Sequence, residues 1–415
     1  MRVNVSRFVV VAALGMIPGL LNAQFDFKLA GEDVQVHSFA SQGFAYSNEN
    51  NYLTMDTSHG SFAMTDAGVN VSTRLTDKFR IGAQVYVRNI GSLGDWHPTL
   101  DWASADYKFK DWFGIRGGKV KTALGLFNDS QDMDFLHTFA LLPQSVYPTD
   151  LRDATISHLG GDIYGVIGLK HLGDVSYTAY AGQRSDTQYG GYLYLLRDRG
   201  IFMTSYGGLQ YGADLKWTTP VKGLLLGGSH MREEISGHGT GTCTPAVPFS
   251  CAAWNARTNG QYEEHSNKDQ TNFLYGDYTL GNLRIDAEYR RYWRDQRVWN
   301  DSYSVTVDTR GWYTSAAYRI SKRFELGGYY SHFTSAWKRA SAAWLLDTSL
   351  PDHHVYDKVV TARFDLARFW NVKVEGHFMD GYGGAMSPIG FYTVNNQQGL
   401  KPQTNMVIVR TGWNF

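Results

Sequence analysis

Arginines recur on the polar side of alternating segments at Arg80, Arg88, Arg116, Arg284, Arg290, Arg294, Arg319, Arg363 and Arg410. A second set of charged residues, Asp129, Asp132 and Asp134 with Asp150 and Asp153, stands in one long connection, against Lys119, Lys121 and Arg152. Arginine is always ionised, and its planar fork matches carboxylate or phosphate. Such residues attract and orient anions; they do not shuttle protons. An acidic loop facing a basic wall across a narrow waterway would set up a transverse field, focused by low-dielectric walls. The structural alternative is that these arginines pair with Asp214, Asp286, Glu288, Asp365 and Glu375 and hold the wall together. Charges lining a membrane cavity often do both.

Covalent chemistry has little support. There is no His-Glu-x-x-His, no nucleophile elbow and no metal-spaced cysteine set, so neither a metal nor any other cofactor is expected. Gly237–Gly241 lacks the helix that a phosphate loop requires, and His353-His354 reads as a solvated pair. Lys plus Arg number 39 and Asp plus Glu 39, which gives no reason to expect a nucleic-acid partner.

The elements that position these charges are strands. Phe79–Arg88 alternates Phe79, Ile81, Ala83, Val85 and Val87 against Arg80, Gly82, Gln84, Tyr86 and Arg88. Leu283–Arg294 and Trp370–Met379 repeat the pattern. Charge after charge on one face, with Tyr and Gly among the apolar residues of the other, fits water inside and lipid outside. About sixteen such segments can be read: 34–46, 67–74, 79–88, 100–109, 113–121, 154–170, 174–184, 205–218, 223–233, 270–280, 283–294, 309–320, 323–334, 355–366, 370–380 and 404–415. Short connections (Leu75–Lys78, Lys110–Trp112, His171–Gly173, Thr219–Lys222, Gly281-Asn282, Ser321-Lys322, Ala367–Phe369) alternate with long ones. The pattern predicts an all-β transmembrane antiparallel barrel in the outer membrane of a Gram-negative bacterium, its short turns in the periplasm. Phe79, Phe109, Trp112, Phe113, Trp217, Phe324, Phe369, Trp370, Trp413 and Phe415 cluster beside those turns, as an interfacial girdle would.

The flanks agree. Met1–Arg7 is basic, Phe8–Leu21 is apolar and short of a membrane span, and Ala23 offers a small residue for cleavage. Residues 1–23 are therefore expected to be a signal peptide and 24–415 the barrel. The terminal segment, with Val407, Val409, Thr411, Trp413 and Phe415 on one face, resembles the signal read by the outer-membrane assembly machinery, with Phe415 as its key residue. Cys243 and Cys251 are the only cysteines. An oxidising compartment favours a disulfide between them; two free thiols are the alternative.

The connection at about 122–153 holds Gly125, Pro143 and Pro148 and is far longer than a hairpin loop. Its length suggests that it folds into the barrel and constricts it, and as the third long loop it resembles the loop that does so in trimeric bacterial porins. Gly118–Asp129 (GKVKTALGLFND) and Leu141–Tyr147 (LLPQSVY) resemble this loop in the phosphate-selective and dicarboxylate-type porin families, although Ala123 stands where proline is expected. The resemblance implies a homotrimer. Sixteen strands leave a water-filled channel for passive diffusion of small hydrophilic solutes, and the arginines on the luminal faces predict a mild preference for anions such as carboxylates or phosphate. A receptor or adhesin built on the long fifth loop (Glu234–Asp269) and an outer-membrane hydrolase are the competing readings. A porin conducts ions in a planar bilayer, a hydrolase turns over lipid or peptide, and an adhesin does neither. Lys119 and Lys121 share the lipid-facing parity of Ile115 unless a bulge at Gly117-Gly118 flips the phase.

Overall fold

The computed structural model describes residues 25–29, 31–198, 200–241, 259–298, 303–339, 349–383 and 389–415. They form one sheet of seventeen antiparallel strands. β1 (Phe25–Leu29) is a short arm. The wall follows in chain order: β2 (Glu32–Ser47), β3 (Ser61–Thr76), β4 (Phe79–Ile90), β5 (Thr99–Lys110), β6 (Phe113–Lys121), β7 (Ser157–Gly168), β8 (Asp174–Ser185) and β9 (Ile201–Thr218). It continues with β10 (Leu224–Gly241), β11 (Gln261–Leu280), β12 (Leu283–Val298), β13 (Tyr303–Ser321), β14 (Phe324–Arg339), β15 (His354–Ala367), β16 (Trp370–Asp380) and β17 (Gln403–Asn414). Each strand pairs with its sequence neighbour. β17 pairs with β2 from Met406↔Ser47 to Asn414↔Phe39, which closes sixteen strands into a barrel. β1 lies on the same edge of β2, from Phe25↔Val36 to Leu29↔Glu32, and extends the ladder past the end of β17. Phe415 is fixed there by two backbone bonds with Ser38.

The two faces of the wall differ as a membrane barrel requires. Leu274 is 66% exposed and Leu159 62%, and Ile81, Val85, Ile163, Leu215, Leu326, Val360, Val374 and Val407 also point outward. Inside, Asp66, Arg88, Asp162, Asp214, Glu233, Glu288, Lys373 and Glu375 are buried. A soluble protein would bury the first set and wet the second; lipid outside and a polar interior reverse this. Among the described residues no helix is long and apolar enough to span a membrane, so the strands do the spanning. Phe109 stacks on Phe113 and Phe369 on Phe415 beside the short turns.

Two elements differ from the sequence reading. The expected fifth loop at 234–269 begins and ends as ribbon, since β10 and β11 stay paired up to Thr240↔Gln261. Its outward residues Glu234, Ser236, His238 and Thr240 are polar, so the apolar alternation that marks a lipid-facing strand is missing there. Residues 154–156, expected in a strand, instead finish a helical turn, α1 (Arg152–Thr155). A short helix, α2 (Gly191–Asp198), lies in the fourth long loop and buries Leu193 and Leu196 against Ile201, Met203 and Ile235. The proposed signal peptide and both cysteines lie outside the described residues.

Candidate functional site

The third long loop (122–156) enters the barrel and crosses it. Gly125 turns the chain with φ 65, and its N–H donates to Ser229 Oγ at 2.9 Å. A Cβ at this position would meet Tyr147 Oη at 2.5 Å and Glu288 Oε2 at 2.9 Å, so glycine is required twice over. Glu288 on β12 anchors this first contact, accepting from Leu126 N–H (3.0 Å), Tyr147 Oη (2.8 Å) and Tyr313 Oη (2.7 Å). A buried carboxylate is stable only when its lone pairs are satisfied, and here the loop satisfies them.

The loop then reaches the far wall. Lys373 on β16 is completely buried and donates to the Asp134 carbonyl (2.6 Å), Asp134 Oδ1 (2.9 Å) and the Phe139 carbonyl (3.0 Å). Glu375 accepts from the N–H groups of Ala140 (2.8 Å) and Leu141 (3.0 Å). Arg410 donates to the Ala140 carbonyl (2.6 Å), and Arg363 to that of His137 (2.8 Å). On the return path Ser145 bonds Ser331 (2.8 Å), Arg88 bonds the Thr149 carbonyl (2.7 Å), and Asp150 accepts from Tyr392 (2.5 Å). Arg152 closes the circuit with Asp132 and with Asp101 (2.6 Å). Above the loop, Tyr52, Leu53, Leu93, Ala140, Leu141, Tyr194, Ile389 and Phe391 pack into one apolar cluster with Phe333, Met379 and Ile408. Several extracellular loops thereby close down on one side of the lumen.

Loop residues titrate accordingly. Burial is the largest influence on Asp132 and pushes it up, but Arg152 and Lys121 outweigh it and hold the carboxyl well below its usual range. Asp134 behaves in the same way, with Lys373 and Arg410 prevailing over burial. Burial pushes His137 down to about 4 against the pull of its bond to the Ser130 carbonyl.

The sequence-selected arginines take several positions. Arg88 pairs with Asp153 (3.0 Å), Arg116 with Asp162 (3.2 Å), and Arg284 with Asp277 (2.7 Å) and Asp286 (3.1 Å). Arg319 meets Asp365 and Glu325, Arg363 meets Asp365 (2.9 Å), and Arg294 meets Glu264 and Asp269 (3.4 Å). Arg410 joins Asp66 (2.5 Å) to Asp134 (3.3 Å). Arg80, beside a short turn, is exposed and bonds Ser72 Oγ (3.0 Å). Arg290 is the exception in the interior. It lies between Glu288 and Arg294 on the luminal face of β12, with its guanidinium 5.6 Å from the Tyr292 ring and no carboxylate in salt-bridge reach among the described residues. Of the loop acids, Asp132 is tied to Arg152 and Lys121 and Asp134 to Lys373, while Asp129 is exposed. A small, partly open cavity lies between the loop and β3, β4 and β17; its cations, Arg88, Arg152 and Arg410, already hold carboxylates.

Glu288, Lys373 and Glu375 hold the loop but were not singled out as sites from the sequence. Their only signal was charge on the luminal parity. The lysine pair also resolves. Pairing of β6 with β5 and β7 shows no shift at Gly117-Gly118, so Lys119 keeps the outward parity of Ile115. Lys121, at the strand end, still reaches Asp132 at 3.3 Å.

A closed sixteen-strand barrel with an apolar belt, a polar interior and a loop folded into its lumen is the architecture of bacterial outer-membrane porins. The chain has that fold. It is similar to OmpT, an outer membrane protein of Vibrio cholerae (11% identity, TM-score 0.55, covering 94% of this chain and 99% of that one). It is also similar to an anion-selective porin from Comamonas acidovorans (9%, 0.55, 92% and 100%) and to Salmonella typhi OmpF (13%, 0.55, 94% and 100%). No protein-family model and no curated protein matches the sequence.

Proposed function

We propose that the protein is an outer-membrane porin: a passive, non-enzymatic channel for small hydrophilic solutes with a mild preference for anions such as carboxylates or phosphate. Sixteen strands enclose enough space for water, whereas eight would be filled by side chains. The inward loop and the loops packed above it restrict that space, so the passage is narrow. Arg290 carries the anion preference, because the other buried luminal arginines are already paired with acids. One uncompensated charge in a low-dielectric passage biases ion entry without excluding cations.

The outer face supports a homotrimer. Lys119 has outward parity and is level with Ala83 and Ala103, four residues along the strand from the Phe79–Tyr107 pair, or roughly 13 Å. A lysine facing lipid near mid-depth costs about 2–4 kcal/mol. Small outward residues flank it on β5 and β6 (Ala103, Ala105, Gly117), with Leu159 opposite on β7, and its ammonium donates to the Leu100 carbonyl at 2.7 Å. Such a surface suits another protomer better than lipid. Phe415 remains our candidate for contact with the assembly machinery.

The test is the reversal potential of the reconstituted protein across a potassium chloride gradient. The reading predicts a modest anion preference that Arg290→Gln abolishes and Arg319→Gln, which removes a paired arginine, leaves nearly intact. A bilayer that stays silent would shift the assignment to a receptor or adhesin.

A further inference from the structure

Strand register aligns a row of outward residues across β10–β13: His230 opposite Asn272, Asn272 opposite Arg291, and Arg291 opposite Arg310. The rung beneath it, two residues toward the periplasm, is Leu274, Tyr289, Trp312 and His332, with Tyr356 on β15. That lower rung is an aromatic girdle: Trp312 stacks on His332 with centroids 5.4 Å apart, and His332 on Tyr356 at 4.4 Å. Leu274, 66% exposed, marks the lipid belt at the same level. Aromatic rings of this kind sit at the depth of the lipid headgroups. The cationic row therefore stands about one rung, roughly 7 Å along the strand, on the extracellular side of the girdle.

At its centre Asp308 is held between two arginines, by Arg291 through both nitrogens of its fork (2.9 and 3.0 Å) and by Arg310 (2.9 Å). The arginine side chains remain 40% and 55% exposed, and Asp308 is the only carboxylate in their reach among the described residues. The trio carries one surplus positive charge, with exposed His230 in the same row. At the corresponding outward ends β4, β16 and β17 carry Asn89, Asp380 and Asn405, and no Lys or Arg. The patch also lies across the barrel from the Lys119 face, the face proposed for contact between protomers.

We infer that the outer face of β10–β13 binds the phosphate of an anionic lipid headgroup in the outer leaflet. Arg291 and Arg310 supply charge-assisted bonds to the phosphate while Trp312 and Tyr356 support the acyl–headgroup boundary. The site is independent of the pore and of its selectivity.

Native mass spectrometry of the detergent-solubilised full barrel tests this, using a bisphosphorylated disaccharide lipid and its dephosphorylated counterpart as probes. The wild type should retain the phosphorylated lipid in marked preference. Removal of each arginine should weaken retention roughly fivefold, so that Arg291→Gln with Arg310→Gln brings both lipids to the same level. Asp308→Asn keeps both arginines and frees them, and should raise retention of the phosphorylated lipid. Equal retention of the two lipids by the wild type, or unchanged retention by the double variant, would overturn the proposal. So would displacement of the lipid by an excess of inorganic phosphate, which would reassign the patch to free phosphate.

Discussion

Lys373 and Glu375, two residues apart on the luminal face of β16, hold complementary groups of the same stretch of loop. The ammonium takes the Phe139 carbonyl and the carboxylate takes the next two N–H groups. Lys373→Met keeps the aliphatic stem but strands two carbonyls and leaves Asp134 only Arg410 among the described residues, and losing one partner of a buried ion pair costs about 3–5 kcal/mol. Glu375→Gln keeps the shape but replaces one of the two accepting oxygens by a donating NH2 group, at about 1–3 kcal/mol. Both variants should migrate as folded barrels in unheated gels. Open-channel noise and conductance should rise, more in Lys373→Met. Unchanged records from Lys373→Met would show that this clamp does not hold the constriction.

A second contact depends on a missing side chain. A Cβ on Gly311 would meet the Ser145 carbonyl oxygen at 2.0 Å. Gly311→Val should push the returning limb of the loop off β13 and expose it to chymotrypsin near Phe139. Gly376→Ala, whose nearest neighbour would be 3.8 Å away, should leave digestion unchanged. Resistance of the valine variant would contradict the close approach.

Acid should loosen the loop. His137 is held near 4 by burial when docked and returns to about 6.5 when the loop is released. The released form therefore takes up a proton first as pH falls. Docking stability is complete above pH 6.5 and declines down to about pH 4, by about 3 kcal/mol. Asp132, held low by its cations, works in the same direction only in stronger acid. Burial raises Asp150, which takes up its proton more readily when docked and offsets part of the loss at the acid end. Current noise should grow from pH 6.5 to 4 in the wild type and stay flat over that window in His137→Phe. Equal growth in both would remove His137 from the account.

Cys243 and Cys251 should resist maleimide labelling until reduced, and reduction should leave the barrel folded, because the sixteen wall strands pair and close without that segment. Immediate labelling without reductant would mean free thiols.

The barrel was legible because lipid and water impose opposite demands on alternate residues, and Phe79–Arg88 or Trp370–Met379 records that contrast residue by residue. Where the wall rises out of the membrane the contrast ends, and the upper halves of β10 and β11 read as loop. The parity of Arg410 placed it inside, but nothing local announces Asp66, 344 positions away, as its partner. Lys373 and Glu375 were invisible as anchors for a related reason. Their partners are mostly backbone groups, and backbone groups leave no mark on composition. The eight-residue α2 lies in a long connection and depends on β9–β11 for burial, so its pattern was too short to stand out.

Single-channel recording in a planar bilayer tests the central claim most directly, namely that the luminal loop makes this barrel a narrow passive channel. The account predicts discrete, ohmic steps for the wild type, small for a sixteen-strand barrel, and larger steps once Lys373→Met and Glu375→Gln are combined. A silent membrane, or wild-type steps already as large as those of the double variant, would contradict it.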